Sequence, residues 1–131
     1  MKTSEIGFEL KVLIVETCLL NHVHLYSLTH QSVSGLVEDW YVGITGQDDT
    51  NSDGNSERIQ GHKQTFPDLV ENSWKECPIN EGNAKTRDDI AQEAETRMQA
   101  RGFDAGERVQ GQDVHTIYVF LKGATDNRNS E

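Results

Sequence analysis

The stretch of sequence that decides the fold is Asp39-Trp40-Tyr41-Val42-Gly43-Ile44-Thr45. Its aromatic and β-branched side chains pack well on a half-buried pleated surface, so we expect a strand here. Upstream, apolar and polar residues alternate in Val23-His24-Leu25-Tyr26-Ser27-Leu28-Thr29, which predicts another strand. We expect the two strands to pair as a hairpin whose connecting loop has about nine residues.

On the C-terminal side of this hairpin, residues 46–56 contain no apolar side chain and predict an exposed polar loop. A short helix from Glu57 to about Gln64 is expected to follow it. Ser73–Cys77 predicts a short third strand, and Val114–Leu121 predicts the last strand.

The clearest helix of the chain runs from Arg87 to Arg101. Thr86 is its expected N-cap, and Gly102 is expected to end it. Its apolar residues share one face, which predicts a helix packed on a core: Ile90, Ala91, Ala94 and Met98.

The N-terminal segment, residues 5–20, is open to two interpretations. Apolar residues recur there at helical spacing, but the run Val12–Val15 also suits a buried strand. The length of the segment favours a helix that packs on the rest of the fold. Charged residues interrupt its apolar run, which argues against a targeting or membrane-spanning segment and for a soluble, cytoplasmic protein.

Composition limits the partners of this chain. Its 131 residues, 34% of them apolar, suit one domain with one modest core. A net charge of −10, from 12 basic and 22 acidic residues, argues against broad adhesion to nucleic acid or to anionic membranes, although a local basic patch is still compatible with it. Cys18 and Cys77 form no C-x-x-C pair; two buried free thiols are favoured over a single disulfide.

The order of elements indicates the fold class. A helix or strand is followed by two strands, a short helix, a short strand, the long helix and the last strand. Adjacent hairpin strands within a mixed order favour an α+β domain over a doubly wound parallel sheet. We therefore expect a small α+β domain whose central mixed or antiparallel sheet is flanked by helices.

Residues able to do chemistry follow one another in a fixed order. Tyr26 lies on the first predicted strand, Tyr41-Val42-Gly43 on the second, Arg58-Ile59-Gln60-Gly61-His62 on the short helix and Glu95 on the long helix. This order resembles the GIY-YIG nuclease domain, which has a Tyr on its first strand, Tyr-x-Gly on its second, Arg-x-x-x-His on a helix and Glu on a later helix.

The resemblance covers residues 22–122, about three quarters of the chain. Residues 1–21 would then be an N-terminal extension packed on this domain, and residues 123–131 a polar tail. The first tripeptide departs from the family, because His24 and Leu25 stand where Gly and Ile are usual.

The resemblance assigns a role to each residue. It makes Tyr26, with Tyr41, the acceptor of a proton from the attacking water, and Glu95 the protein ligand of Mg²⁺ or Mn²⁺. The planar guanidinium of Arg58 can clamp phosphate oxygens. One helical turn later, His62 lies on the same face and can transfer a proton.

Gly43 has a separate interpretation. A glycine inside a strand marks the close approach of another backbone, a helix or a ligand. On the long helix, Glu95 borders the apolar face whereas Glu93 points away from it, which favours Glu95 as the metal ligand.

The sequence thus predicts a Mg²⁺- or Mn²⁺-dependent endonuclease whose substrate is DNA rather than RNA, bound in a local pocket. A second hypothesis is a catalytically inactive binding module of the same fold with a protein partner, which the acidic charge favours. A third is an unassigned α+β domain. The run Asp49-x-Asn51-x-Asp53 matches half of a calcium loop, but Gln60 at the twelfth position cannot supply the carboxylate, so a polar loop is preferred.

Overall fold

A computed structural model describes residues 2–30, 37–45, 57–80, 82–106 and 114–123, with the side chains of residues 2–6, 57 and 58 outside this description. The elements are α1 (Lys2–Thr29), a short 3-10 turn (Val37–Asp39), β1 (Trp40–Thr45), α2 (Glu57–Thr65), β2 (Val70–Pro78), α3 (Ala84–Ala100), β3 (Asp104–Ala105) and β4 (Thr116–Leu121). Two predicted segments lie outside the described residues. They are the loop at residues 46–56, which contains the half calcium motif, and the tail from residue 124 onward.

The four strands form one mixed sheet in the order β2-β4-β1-β3. The central strand β4 pairs antiparallel with both β1 and β2, and β1 pairs parallel with β3. In this register Gly43 lies opposite Tyr118. The predicted α+β class, a small mixed sheet flanked by helices, is confirmed.

The predicted strand at Val23–Thr29 is wrong, because these residues form the last two turns of α1. The helical alternative for residues 5–20 is correct, and the same helix continues through the boundary predicted between residues 21 and 22. The apolar residues that α1 buries lie three or four positions apart, so they share one helix face: Val12, Val15, Leu19, Val23 and Tyr26. The hairpin partner expected for β1 is therefore replaced by β4.

Helix α3 begins three residues before its predicted start. Asn83 is the N-cap instead of Thr86, and its Oδ1 accepts a hydrogen bond of 2.8 Å from the Thr86 backbone N–H. The helix ends as predicted before Gly102, whose φ of +115° is left-handed and favours glycine.

The two faces of the sheet have separate cores. On one face α1 and α3 cover alternate residues of the central strands, among them Trp40, Val42, Ile117 and Val119. On the other face α2 and the loop after it cover a mostly aromatic cluster: Tyr41, Ile59, Phe66, Leu69, Trp74, Tyr118 and Phe120. This second face carries the candidate site.

The two cysteines are free thiols, Cys77 buried and Cys18 half-buried. Burial raises the pKa of Cys77 to about 12, together with a hydrogen bond that the Cys77 thiol donates to the neighbouring Cys18 sulfur. Cys77 is therefore a packing residue of the first core.

Helix α1 is the one candidate membrane span within the described part of the chain. Its Gly7–Thr29 segment is long and apolar enough by length and composition, and 33% of the apolar window is buried inside the fold. The core helix of a soluble protein meets the same criteria, so the fold is compatible with a soluble protein.

The side chain of Ser73 forms hydrogen bonds at a register shift in β2. The register of β2 against β4 shifts between Val70 and Lys75. There the fully buried Ser73 hydroxyl donates to the Val70 carbonyl at 2.6 Å and accepts from the Leu121 backbone N–H at 2.8 Å. The hydroxyl thus satisfies a strand N–H at the shift.

Replacing Ser73 with Ala is expected to lower the free energy of unfolding by about 1–3 kcal/mol, because the Leu121 N–H is left buried without an acceptor. Urea denaturation followed by circular dichroism measures the loss. Ser27→Ala is the matched control, since the buried Ser27 hydroxyl has no hydrogen-bond partner among the described residues. Equal losses in both variants would contradict this account.

Candidate functional site

The candidate site is centred on a contact between β4 and α2. The Nε2 atom of His62, on α2, lies 2.7 Å from the hydroxyl oxygen of Tyr118, on β4. In one imidazole tautomer the hydroxyl donates to Nε2, and in the other Nε2–H donates to the hydroxyl oxygen. The Tyr41 ring, projecting from β1 on the same face of the sheet, lies 5.0 Å from the His62 ring. A histidine and two tyrosines therefore meet on one surface.

Gly43 makes room for Tyr118. A Cβ atom built on Gly43 would collide with the hydroxyl oxygen and ring carbons of Tyr118, which lies directly opposite on β4. The group that closely approaches this glycine is thus a side chain of the neighbouring strand. Any larger residue at position 43 would displace the tyrosine that bonds to His62.

Aromatic stacking holds these groups in position. Trp74 stacks on Tyr118 at 4.6 Å between ring centroids, and Tyr41 stacks on Phe120 at 4.9 Å. Only 3% of Tyr118 is exposed, whereas His62 and Tyr41 are half-buried. The solvent side of the site is therefore formed by His62 and Tyr41.

Tyr41 is held in its protonated form. Burial raises the pKa of its phenol, and the nearby Glu95 and Asp104 carboxylates raise this pKa further, while a hydrogen bond from the Gly106 backbone N–H opposes them. A phenol with a raised pKa is a poor base at neutral pH and remains a hydrogen-bond donor.

The raised pKa of Tyr41 predicts a pH dependence of stability. In the unfolded chain a tyrosine loses its proton near pH ~10, while folded Tyr41 keeps it, so the stabilisation is present below about pH 10 and is lost as the pH rises further. Urea denaturation at several pH values between about 9 and 11.5 measures the decline. It should be shallower in Tyr41→Phe than in the wild-type protein. An identical decline in both would contradict the prediction.

Two further predicted site residues lie on helices. Arg58 lies in the first turn of α2, one turn before His62, and its side chain lies outside the described residues. Glu95 lies on the buried face of α3, which covers the opposite face of the sheet from His62 and Tyr118, and 3% of the residue is exposed. Its charge raises the Tyr41 pKa, so it lies within electrostatic range of that phenol.

Tyr26 is separated from this group. It lies on α1, packs edge-on against Trp40 at 5.7 Å and donates a hydrogen bond of 2.9 Å to Asn72 Oδ1. Trp40 and Tyr41 are consecutive on β1 and face opposite sides of the sheet. Tyr26 therefore belongs to the core between the sheet and helices α1 and α3. It does not meet Tyr41, because residues 23–29 are helical and pack on the opposite face of the sheet from the site.

Tyr118 is the site residue that the sequence did not reveal. Its segment is a predicted strand, but nothing local indicates that this strand pairs with β1. The available signal was the i,i+2 spacing of Tyr118 and Phe120, which puts two aromatic rings on one face of the last strand.

The described lysines around the site have acidic partners. Lys63 pairs with Glu71, and Lys122 lies 3.0 Å from the Asp104 carboxylate. Among residues with a described side chain, no group of three or more His, Cys, Asp or Glu is arranged to hold a metal. Mg²⁺ keeps several of its waters and can be bound through one or two carboxylates, and Glu95 supplies an oxygen donor of the required hardness.

Comparison with family models, with curated proteins and with solved structures finds no match to this chain.

Proposed function

We propose that this protein is a divalent-metal-dependent endonuclease that hydrolyses phosphodiester bonds in DNA, with Tyr118 in the role that the resemblance to the GIY-YIG domain assigns to Tyr26. The observation that carries the proposal is the 2.7 Å contact between His62 Nε2 and the Tyr118 hydroxyl, beside Tyr41. The Tyr118 hydroxyl can donate its proton to His62 Nε2, and both groups lie at the edge of the aromatic cluster.

Tyr118 and His62 form the proton path of the proposed reaction. As a water attacks phosphorus, its proton passes to the Tyr118 oxygen while the Tyr118 hydroxyl proton passes to His62 Nε2. A new P–O bond forms to the water oxygen, and the bond from phosphorus to the leaving oxygen breaks. Passing the proton on to imidazole means that no free phenolate has to form at neutral pH.

Tyr41 and Arg58 position the phosphate. Because its pKa is raised, Tyr41 keeps its proton and can donate a hydrogen bond to a non-bridging phosphate oxygen. Arg58 is one turn from His62 on α2, and a guanidinium offers two parallel N–H donors that suit the same phosphate. Both residues would stabilise negative charge that grows in the transition state.

Glu95 is the residue that would hold Mg²⁺ or Mn²⁺, because it lies within electrostatic range of the Tyr41 phenol even though α3 covers the opposite face of the sheet. When bound, the cation neutralises charge on the phosphate and lowers the pKa of its bound water. The hard oxygen donor and the few protein ligands suit a metal that retains much of its water shell. We propose a cytoplasmic location, the one expected from the charged residues that interrupt the apolar run near the N-terminus.

A non-catalytic binding module is the second candidate, and two observations favour it. The chain carries a net charge of −10, and Lys63 and Lys122 at the site are paired with Glu71 and Asp104. Affinity for DNA rests mainly on cations that contact phosphates. In this reading the exposed rim of His62 and Tyr41 would bind a protein partner without cutting nucleic acid.

A nicking assay separates the two candidates. Supercoiled plasmid and a branched oligonucleotide are incubated with the protein and Mg²⁺ or Mn²⁺, with and without EDTA. We expect nicking that EDTA abolishes and that falls at least about tenfold in Glu95→Gln. Glu93→Gln, the same change two residues away on α3, is the control and should cleave normally. No cleavage by the folded wild-type protein on any DNA or RNA tested would refute the nuclease and favour the binding module.

A further inference from the structure

Helix α1 presents a second apolar face on the side opposite its buried one. Five large aliphatic residues on it are 43–59% exposed: Leu10, Leu13, Ile14, Leu25 and Leu28. Surface helices usually carry one apolar stripe, and a helix apolar on both sides is typical of one buried on both sides. Contiguous apolar patches of this kind mark interaction sites.

The spacing along this outer face matches a helix–helix seam. Taken in order, its positions are four, three, four, three and four residues apart: Leu10, Ile14, Thr17, Asn21, His24 and Leu28. Alternating steps of three and four keep one stripe facing a partner helix in a coiled coil. The stripe covers 18 residue steps and is therefore about 27 Å long.

We propose that the outer face of α1 is the interface of a homodimer in which two α1 helices pack antiparallel about a two-fold axis. The stripe is self-complementary in this arrangement, because positions that sum to 38 lie opposite each other. Leu10 meets the partner copy's Leu28, and Thr17 meets the partner copy's Asn21, so a hydroxyl lies opposite an amide at the centre. An interface between identical patches of this kind closes after two copies.

The charge distribution favours a second copy as the occupant. The chain carries a net charge of −10, yet the outer stripe of α1 contains no charged residue. The acidic residues Glu9 and Glu16 turn toward α3, where they form ion pairs of 2.8 Å with Arg97 and 2.9 Å with Arg101. Two acidic copies can thus meet through α1 while their like charges stay apart.

The polar centre of the stripe disfavours a membrane. Thr17, Asn21 and His24 would lie near the middle of a spanning segment, where polar groups are costly. The last turn of α1 also carries no basic residue that would anchor it at a lipid headgroup layer. In a dimer the same polar residues fix the register of the two helices.

Sedimentation equilibrium on the full chain tests the dimer. We expect twice the chain mass of 14.7 kDa at micromolar concentrations. Added salt should tighten the association, since it screens the repulsion between two acidic copies. Ile14→Lys should sediment as a monomer with an unchanged circular dichroism spectrum, because Ile14 is 59% exposed. Gln64→Lys on the exposed side of α2 is the control and should remain dimeric.

Cross-linking tests the antiparallel orientation. Leu10→Cys mixed with Leu28→Cys should give a disulfide-linked dimer under mild oxidation, while either variant alone should cross-link no more than the wild type. Efficient cross-linking of Leu10→Cys with itself would overturn the antiparallel arrangement. A monomeric wild-type chain at about 100 µM, or its flotation with neutral phosphatidylcholine vesicles, would overturn the dimer altogether.

Discussion

Replacing Tyr118 with Phe is expected to lower the rate of DNA cleavage by about 10²–10⁴-fold, the usual contribution of a positioned proton-transfer group. The substitution removes the hydroxyl that lies 2.7 Å from His62 Nε2 and leaves the ring in place. The stacking of that ring on Trp74 is retained, so the fold should lose only about 1 kcal/mol through the missing hydrogen bond. The loss of rate therefore reports on chemistry and not on unfolding.

Tyr26→Phe is the matched control for this experiment. It also removes a phenolic hydroxyl that makes a hydrogen bond, in this case to Asn72 on the other side of the sheet. Initial rates of plasmid nicking are compared at saturating Mg²⁺ for both variants and the wild type. Normal cleavage by Tyr118→Phe together with loss of cleavage in Tyr26→Phe would reverse the assignment and restore the role expected from the sequence.

Replacing Trp40 with Ala is expected to lower the free energy of unfolding by about 3–5 kcal/mol, as for other large core aromatic residues. Trp40 is fully buried on β1 and meets the rings of His22 and Tyr26 edge-on at 5.9 and 5.7 Å. Its removal leaves a cavity beneath the C-terminal half of α1. The docking of this helix should therefore weaken together with global stability.

Chemical denaturation measures the stability loss, and amide hydrogen exchange over residues 19–29 measures the docking of α1. Trp74→Ala provides the comparison, because Trp74 is half-buried on the opposite face and contacts α2 instead of α1. Trp74→Ala should lower the free energy of unfolding by less than Trp40→Ala does, and it should leave hydrogen exchange in α1 unchanged. Unaltered exchange in α1 of Trp40→Ala would contradict the packing described for this face.

Much of the fold could be predicted from local sequence. Three features follow from the consecutive residues of a single segment. They are the apolar face of α3, the β-branched and aromatic content of β1 and β4, and the helical pattern of the short α2. The sequence predicts the strand Val70–Pro78 only at its centre, around Trp74, and indicates neither its register shift nor its true ends. The two-residue strand β3 has no pattern of its own and exists only because it pairs with β1.

The candidate site was predictable to the extent that its members are close in sequence. Tyr41 and Gly43 are two residues apart on one strand, and Arg58 and His62 are one turn apart on one helix, so local geometry fixes their shared faces. The prediction that Tyr26 belongs to the site was wrong because the alternation in Val23–Thr29 is also compatible with a helix. Its burial pattern follows the helical spacing of residues from Val12 onward.

The sequence by itself determined that this chain forms an α+β domain, that residues 40–45 are a strand and that Gly43 needs a close neighbour. Only the tertiary structure decided which neighbour that is. Gly43 and Tyr118 are 75 positions apart in the sequence. The pairing of β1 with β4 depends on both strands being covered by α1 and α3 on the same face. No local propensity encodes such a pairing, because its free energy arises from burial shared among segments far apart in the chain.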